Sequence, residues 1–148
     1  MARRPAEGPR FSYVIGRLHR VLRNTLDQGI KKHGITVAQY AALSILAQQP
    51  GLSNAQLARR SFMSAQSANQ VLQALSELGL VRRGLDPSHA RISPTEVTAR
   101  GRTVLAACER VVDQAEQTML GKLEKDQRKR LLADLRACLQ TLDPSYRG

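Results

Sequence analysis

The hydrophobic spacing of this chain changes at Gly79, and that change limits the fold more than any other feature. Before it, apolar residues recur at three- and four-residue intervals, the repeat that gives a helix one buried face. Phe11, Val14, Ile15, Leu18, Val21, Leu22, Leu26 and Ile30 form the first stripe, and His33-Gly34 ends it, with glycine in the usual stop position. Residues 80–85 and 91–97 are instead short strand-like runs around the turn Asp-Pro-Ser-His-Ala at 86–90. Pro94 confines the second run to a sheet edge or to its end. Thr98 then starts a long helix with the stripe Val104/Leu105, Cys108, Val111/Val112, Ala115 and Met119. A last helix carries Leu131, Leu132, Leu135, Cys138, Leu139 and Leu142.

Between the first stripe and Gly79, two helix starts are written in the same local code. Thr36 with Gln39, and Ser53 with Gln56, are capping boxes, in which each side chain satisfies a free backbone donor of the other residue. The second helix runs through Tyr40, Leu43, Ile45 and Leu46 to Pro50-Gly51. The third is short, with Leu57 and Ala58 inward. A turn at 61–64 leads into a fourth helix over 64–78, whose stripe is Ala65, Ala68, Val71, Leu72, Leu75 and Leu78. Two short helices joined by a tight turn and followed by a two-stranded ribbon make a winged helix-turn-helix. The expected fold is therefore mainly α: a winged helix-turn-helix core with a two-stranded β wing, between long N- and C-terminal dimerisation helices. Residues 1–10, with two prolines and three arginines, form a flexible basic arm. Residues 11–35 form a dimerisation helix, 36–102 the DNA-binding core and 103–148 the C-terminal dimerisation helices. The three long helices carry more apolar stripe than one subunit of this size readily covers, which allows a homodimer.

Charge names the class of partner. The chain of 148 residues has 23 Lys and Arg against 12 acids, a net charge of +11, which calls for a polyanion. The excess is uneven, with local nets of +6 over residues 1–52, +4 over 53–102 and +1 over 103–148. A basic front and centre meet phosphate, and a nearly neutral tail meets protein. With aromatics at 3% and no Trp, the platforms on which RNA and single-strand binders stack bases are missing. The polyanion is most often nucleic acid and less often an anionic membrane surface, and such a charge can also serve solubility alone; double-stranded DNA is the expected partner. No apolar run reaches the length of a membrane span, and no secretory signal follows the Met-Ala-Arg-Arg start, which gives a soluble cytoplasmic protein. His19, His33 and His89 are scattered, no metal-ligand spacing occurs, and no nucleophile stands beside a base; neither enzyme chemistry nor a cofactor is expected.

Read in order, these segments resemble the MarR family of bacterial transcription regulators over residues 11–142. The resemblance is carried by Gly34-Ile-Thr36, Ser53-Asn-Ala-Gln-Leu-Ala58, the run Leu-Ser-Glu-Leu-Gly-Leu-Val-Arg-Arg at 75–83, the wing Asp-Pro-Ser-His-Ala-Arg at 86–91, and then Val97-Thr98 and Gly101. The family wing usually reads Asp-Pro-x-Asp-Arg-Arg; here His89 and Ala90 replace the second Asp and the first Arg, and Arg91 keeps the last position. Gln70 stands where the fourth helix often exposes an arginine. The resemblance implies a dimer whose first, fifth and sixth helices interleave. It also implies a crevice between those helices and the core that holds small phenolic or carboxylate ligands, with Arg17, His19 and Tyr40 as candidates to line it. Redox-sensing members place a reactive cysteine near the start of the first helix, where this chain has none.

The candidate DNA contacts follow from chemistry and placement. Gln66, Ser67, Asn69, Gln70 and Gln73 lie opposite the apolar stripe of the fourth helix, and amides suit bidentate reading of adenine in the major groove. Ser64 opens that helix. Arg59 and Arg60, at the end of the third helix, are placed to anchor phosphates. Arg82, Arg83 and Arg91 flank the wing, and Arg91 is suited to a narrow minor groove. Like charges on a hairpin can also serve only to block edge pairing. Cys108 and Cys138 both fall on apolar stripes, the position of buried, inert thiols. The resulting function is a sequence-specific transcription regulator, a repressor released by a small aromatic ligand, acting at a palindromic operator. The alternative is a sequence-nonspecific architectural DNA-binding protein, which would be expected to carry Lys and Arg on the fourth helix.

Overall fold

The structure is a computed structural model and describes residues 8–85 and 92–146. Arg91, the turn at 86–90 and the first seven residues of the basic arm lie outside the described residues. In chain order the elements are α1 (Phe11–Lys31), α2 (Val37–Gln48), α3 (Asn54–Arg60), α4 (Ala65–Glu77), β1 (Val81–Leu85), β2 (Ile92–Val97), α5 (Ala99–Met119) and α6 (Lys125–Leu142). The mainly α winged architecture expected from the change of period is present.

Local chemistry sets the boundaries. The Thr36 N–H donates to Gln39 Oε1 at 2.8 Å, and the Gln39 N–H donates to Thr36 Oγ1 at 3.1 Å. Ser53 and Gln56 repeat the exchange at 2.8 and 3.2 Å, so α2 and α3 start where their capping boxes place them. Gly34 and Gly79 take φ of +81° and +68° just past the ends of α1 and α4, a conformation that costs glycine nothing. The strands β1 and β2 form one antiparallel ribbon pairing Val81 with Val97, Arg82 with Glu96, Arg83 with Thr95 and Leu85 with Ile92, with an irregularity between Arg83 and Leu85.

Residues 1–112 and 113–148 make two units. In the first, Ile30, Ile35, Leu43, Leu46, Leu57, Leu72, Leu75, Leu80, Val81, Leu105 and Cys108 share one core. The end of α1, α2, α3, the inner face of α4, the base of the ribbon and the start of α5 thus rest on common packing. Thr98 fastens this junction: its N–H donates to the Leu80 carbonyl at 3.0 Å and its hydroxyl to the Gly79 carbonyl at 2.7 Å, while the hydroxyl accepts from the Gly101 N–H at 3.0 Å. Gly101 is required there, because a Cβ would run into the Leu80 carbonyl oxygen. In the second unit, Arg128 Nε donates to the Leu123 carbonyl at 2.8 Å, and the Glu124 N–H donates to Gln127 Oε1 at 2.8 Å, which fixes the start of α6.

Two long stripes remain open. On α1, Leu26 packs on the core and Ile30 is buried in it, whereas Phe11, Val14, Ile15, Leu18 and Val21 are exposed. No residue of α6 is buried, and Leu131, Leu132, Leu135, Leu139 and Leu142 all face solvent in the single chain. This corrects the expectation for one cysteine. Cys108 is buried in the core, but Cys138 is exposed, because it belongs to a stripe that its own chain leaves uncovered.

Candidate nucleic-acid interface

The geometry of α4 follows from its sequence. Ala68, Leu72 and Leu75 are buried, which turns the helix so that Gln66, Asn69, Gln70 and Gln73 face solvent. At about 100° per residue these four side chains fall within roughly a 100° arc centred opposite the buried stripe. The face from Gln66 to Gln73 is about 10 Å long, which fits a major groove about 12 Å wide. It carries amides and no charge until Glu77, at its C-terminal end, where Gln73 Nε2 donates to Glu77 Oε1 at 3.0 Å. A carboxylate there repels phosphate, so the first turns of α4 are the part fit to approach DNA. Ser64 and Ser67 have structural work as well. Ser64 caps α4 by accepting from the Ser67 N–H at 3.0 Å, and its hydroxyl donates to Ser67 Oγ at 2.9 Å.

The turn into α4 is closed by hydrogen bonds. The Met63 N–H donates to the Ala58 carbonyl at 2.9 Å, and the Phe62 N–H to the Arg59 carbonyl at 3.4 Å. Together they make a Schellman end to α3, with Phe62 at φ +54° in the place glycine usually takes. A side chain in this left-handed region costs about 1 kcal/mol. A second tie crosses the turn, with Asn54 Nδ2 donating to the Ala65 carbonyl at 3.2 Å, so the first residue of α3 holds the first residue of α4. Sequence reasoning missed both residues. Ser-Phe-Met-Ser contains no glycine to announce a left-handed position, and Asn54 meets a partner eleven residues away.

The basic candidates surround this face in different states. Arg59 and Arg60 are exposed in the last turn of α3, free to reach phosphate and also favourable at a helix C-terminus. Arg82 Nη2 lies 3.2 Å from Glu96 Oε2 across the ribbon, both ends well exposed, a surface pair worth about 1 kcal/mol or less. Such a pair yields easily to a phosphate. Arg83 sits in β1 opposite Thr95, and Arg91 is outside the described residues. Of the candidate ligand residues, Arg17 and His19 lie on the open half of α1, whereas Tyr40 is partly buried against the core.

A short capped helix, a closed turn, a second helix with a polar uncharged outer face and an antiparallel ribbon behind it define a winged helix-turn-helix of the DNA-binding class. Known proteins resemble the chain over most of its length. The MarR family profile matches residues 33–92. The HTH-type transcriptional repressor Rv2887 of Mycobacterium tuberculosis is 35% identical over 133 residues, 88% of this chain and 96% of that protein. The crystal structure of Rv2887 in complex with DNA superposes with a TM-score of 0.76 at 31% identity, covering 88% of this chain and 98% of that one. The crystal structure of the same protein in complex with salicylic acid gives 0.74 at 32%, covering 90% and 99%. This chain belongs to the MarR family, whose members are DNA-binding transcription regulators and not enzymes.

Proposed function

We propose that the protein is a sequence-specific repressor that acts as a cytoplasmic homodimer on double-stranded DNA with a palindromic operator, and that a small aromatic acid releases it. The observation that carries this reading is the amide face of α4. Gln66, Asn69, Gln70 and Gln73 stand together opposite the buried stripe, and amides pair bidentately with adenine N6 and N7. A sequence-blind coater has no use for such a face, since its affinity comes from cations on phosphate. Support for the class of role comes from the DNA complex of the similar repressor Rv2887, and for a phenolic carboxylate ligand from its salicylic acid complex. The homodimer is supported by the open stripes of α1 and α6. Among the described residues no helix is long and apolar enough to cross a membrane, in keeping with a cytoplasmic role.

The roles divide between reading and anchoring. Gln66 and Gln70, one turn apart, read bases. Arg59, Arg60, Arg82, Arg83 and Arg91 hold phosphates or the minor groove, and Arg17, His19 and Tyr40 serve the ligand. The test compares variants on selected and random duplexes at several salt concentrations. Gln70→Ala is expected to lose about 1–3 kcal/mol of discrimination at one or two operator positions while random-sequence binding holds. Arg91→Ala is expected to weaken both DNAs alike and to lower the salt slope by about one. Equal loss on both DNAs for Gln70→Ala, with no effect of Arg91→Ala, would remove α4 as the reader.

A further inference from the structure

Phe62 combines two features that an ordinary turn residue does not need. It holds φ at +54°, where glycine is the unstrained choice, and it is 79% exposed, so its ring contributes almost nothing to the fold. The turn itself is closed by backbone bonds from Met63 to Ala58 and from Phe62 to Arg59, neither of which requires a side chain at 62. An aromatic ring in water on a strained backbone marks a residue retained for what it touches outside its own chain. Its position indicates what that is. Exposed Arg59 and Arg60 precede it, and two residues later Ser64 caps the helix whose first turn carries Gln66. Cations stand just before it in the chain and the base-facing helix end just after it. A duplex lying across both meets the ring at the edge of the groove, where the largest apolar group DNA offers is the thymine C5-methyl.

We infer that Phe62 is a DNA-contacting residue that packs its ring on a thymine methyl beside the bases read by α4, which makes it a determinant of operator sequence at the expense of turn stability. The inference rests on the DNA-binding reading given above and adds a side chain to it. The ring adds preference for thymine at one position per half-site. Being uncharged, it leaves the salt dependence of binding unchanged.

The test uses the full chain with Phe62→Gly, Phe62→Asn and Phe62→Tyr. Glycine and asparagine both accept the left-handed conformation and remove the ring; tyrosine keeps it. Phe62→Gly is expected to melt at or above the temperature of the unmodified protein while binding the selected operator roughly five- to tenfold more weakly. Phe62→Asn is expected to bind as weakly, and Phe62→Tyr within about twofold of the original, with equal salt slopes throughout. Replacing operator thymines by deoxyuridine is expected to weaken the unmodified protein, and at one position per half-site to leave Phe62→Gly unaffected. Undiminished operator binding by Phe62→Gly, or a loss of dimer in place of a loss of DNA affinity, overturns the inference and leaves the amide face standing. So does a deoxyuridine penalty that is the same with and without the ring. Failure of the unmodified protein to prefer any DNA sequence would instead remove the reading on which the inference rests.

Discussion

Replacing Leu135 and Leu139 together by glutamate tests the homodimer where the structure is most explicit. Both residues belong to the stripe of α6 that its own chain leaves open, at 44% and 38% exposure. Covering what remains open amounts to about four-fifths of one leucine per protomer, and a two-fold interface counts it twice. At about 1.5–3 kcal/mol for a fully buried leucine, this is roughly 2.5–5 kcal/mol of association free energy. Each 1.4 kcal/mol is tenfold, so the double substitution weakens the dimer by between about 50-fold and 3,000-fold. Four carboxylates brought into an apolar seam add to that loss. Because both positions face solvent in the protomer, L135E/L139E is expected to keep its helical circular dichroism while sedimentation at low-micromolar concentration shows a monomer. A dimer that persists undiminished would refute the assignment of this stripe to the interface.

Further outcomes follow from local geometry. Gly101→Ala places a Cβ against the Leu80 carbonyl, a backbone atom that cannot step aside, and is expected to cost about 1–3 kcal/mol in urea unfolding. Ser53→Ala removes the acceptor for the Gln56 N–H and is expected to cost about 1 kcal/mol in the same assay. Burial, with the charge of Glu109 adding to it, pushes the Cys108 thiol above its ordinary pKa of 9.0, so this residue is expected to resist thiol reagents at neutral pH. Cys138 is expected to react readily in L135E/L139E and slowly in the dimer that covers it, as read by labelling followed by mass spectrometry. The fold favours the protonated thiol of Cys108, so its contribution is intact below pH 9.0 and declines as pH rises from there through the raised value, a decline that Cys108→Ala is expected to remove.

What could be read from the sequence was the part written in short-range spacing. Thr36 with Gln39 and Ser53 with Gln56 act over three residues, so two helix starts were legible to the residue. The inner and outer faces of α4 were equally legible, because helical period alone decides that Leu72 and Gln70 point apart. Periodicity does not say what covers a stripe, and for that reason Cys108 and Cys138 looked alike although only the first is buried. Other features depend on which residues fold against each other. Asn54 reaches Ala65, Arg82 meets Glu96 through the register of the ribbon, and Gly29 is closely approached by Val111 on α5. The left-handed Phe62 had no signal at all in a stretch without glycine.

Reading of sequence by α4 in a two-fold dimer is tested most directly by selection of bound duplexes from a random pool with the full chain. The expected result is enrichment of one motif, an inverted repeat whose half-sites lie about one helical turn, roughly 10 base pairs, apart, with adenine at positions that Gln66→Ala or Gln70→Ala leaves unselected. A pool that remains random in sequence after repeated rounds, although the protein retains DNA at low salt, would contradict it and return the protein to the class of sequence-blind DNA binders.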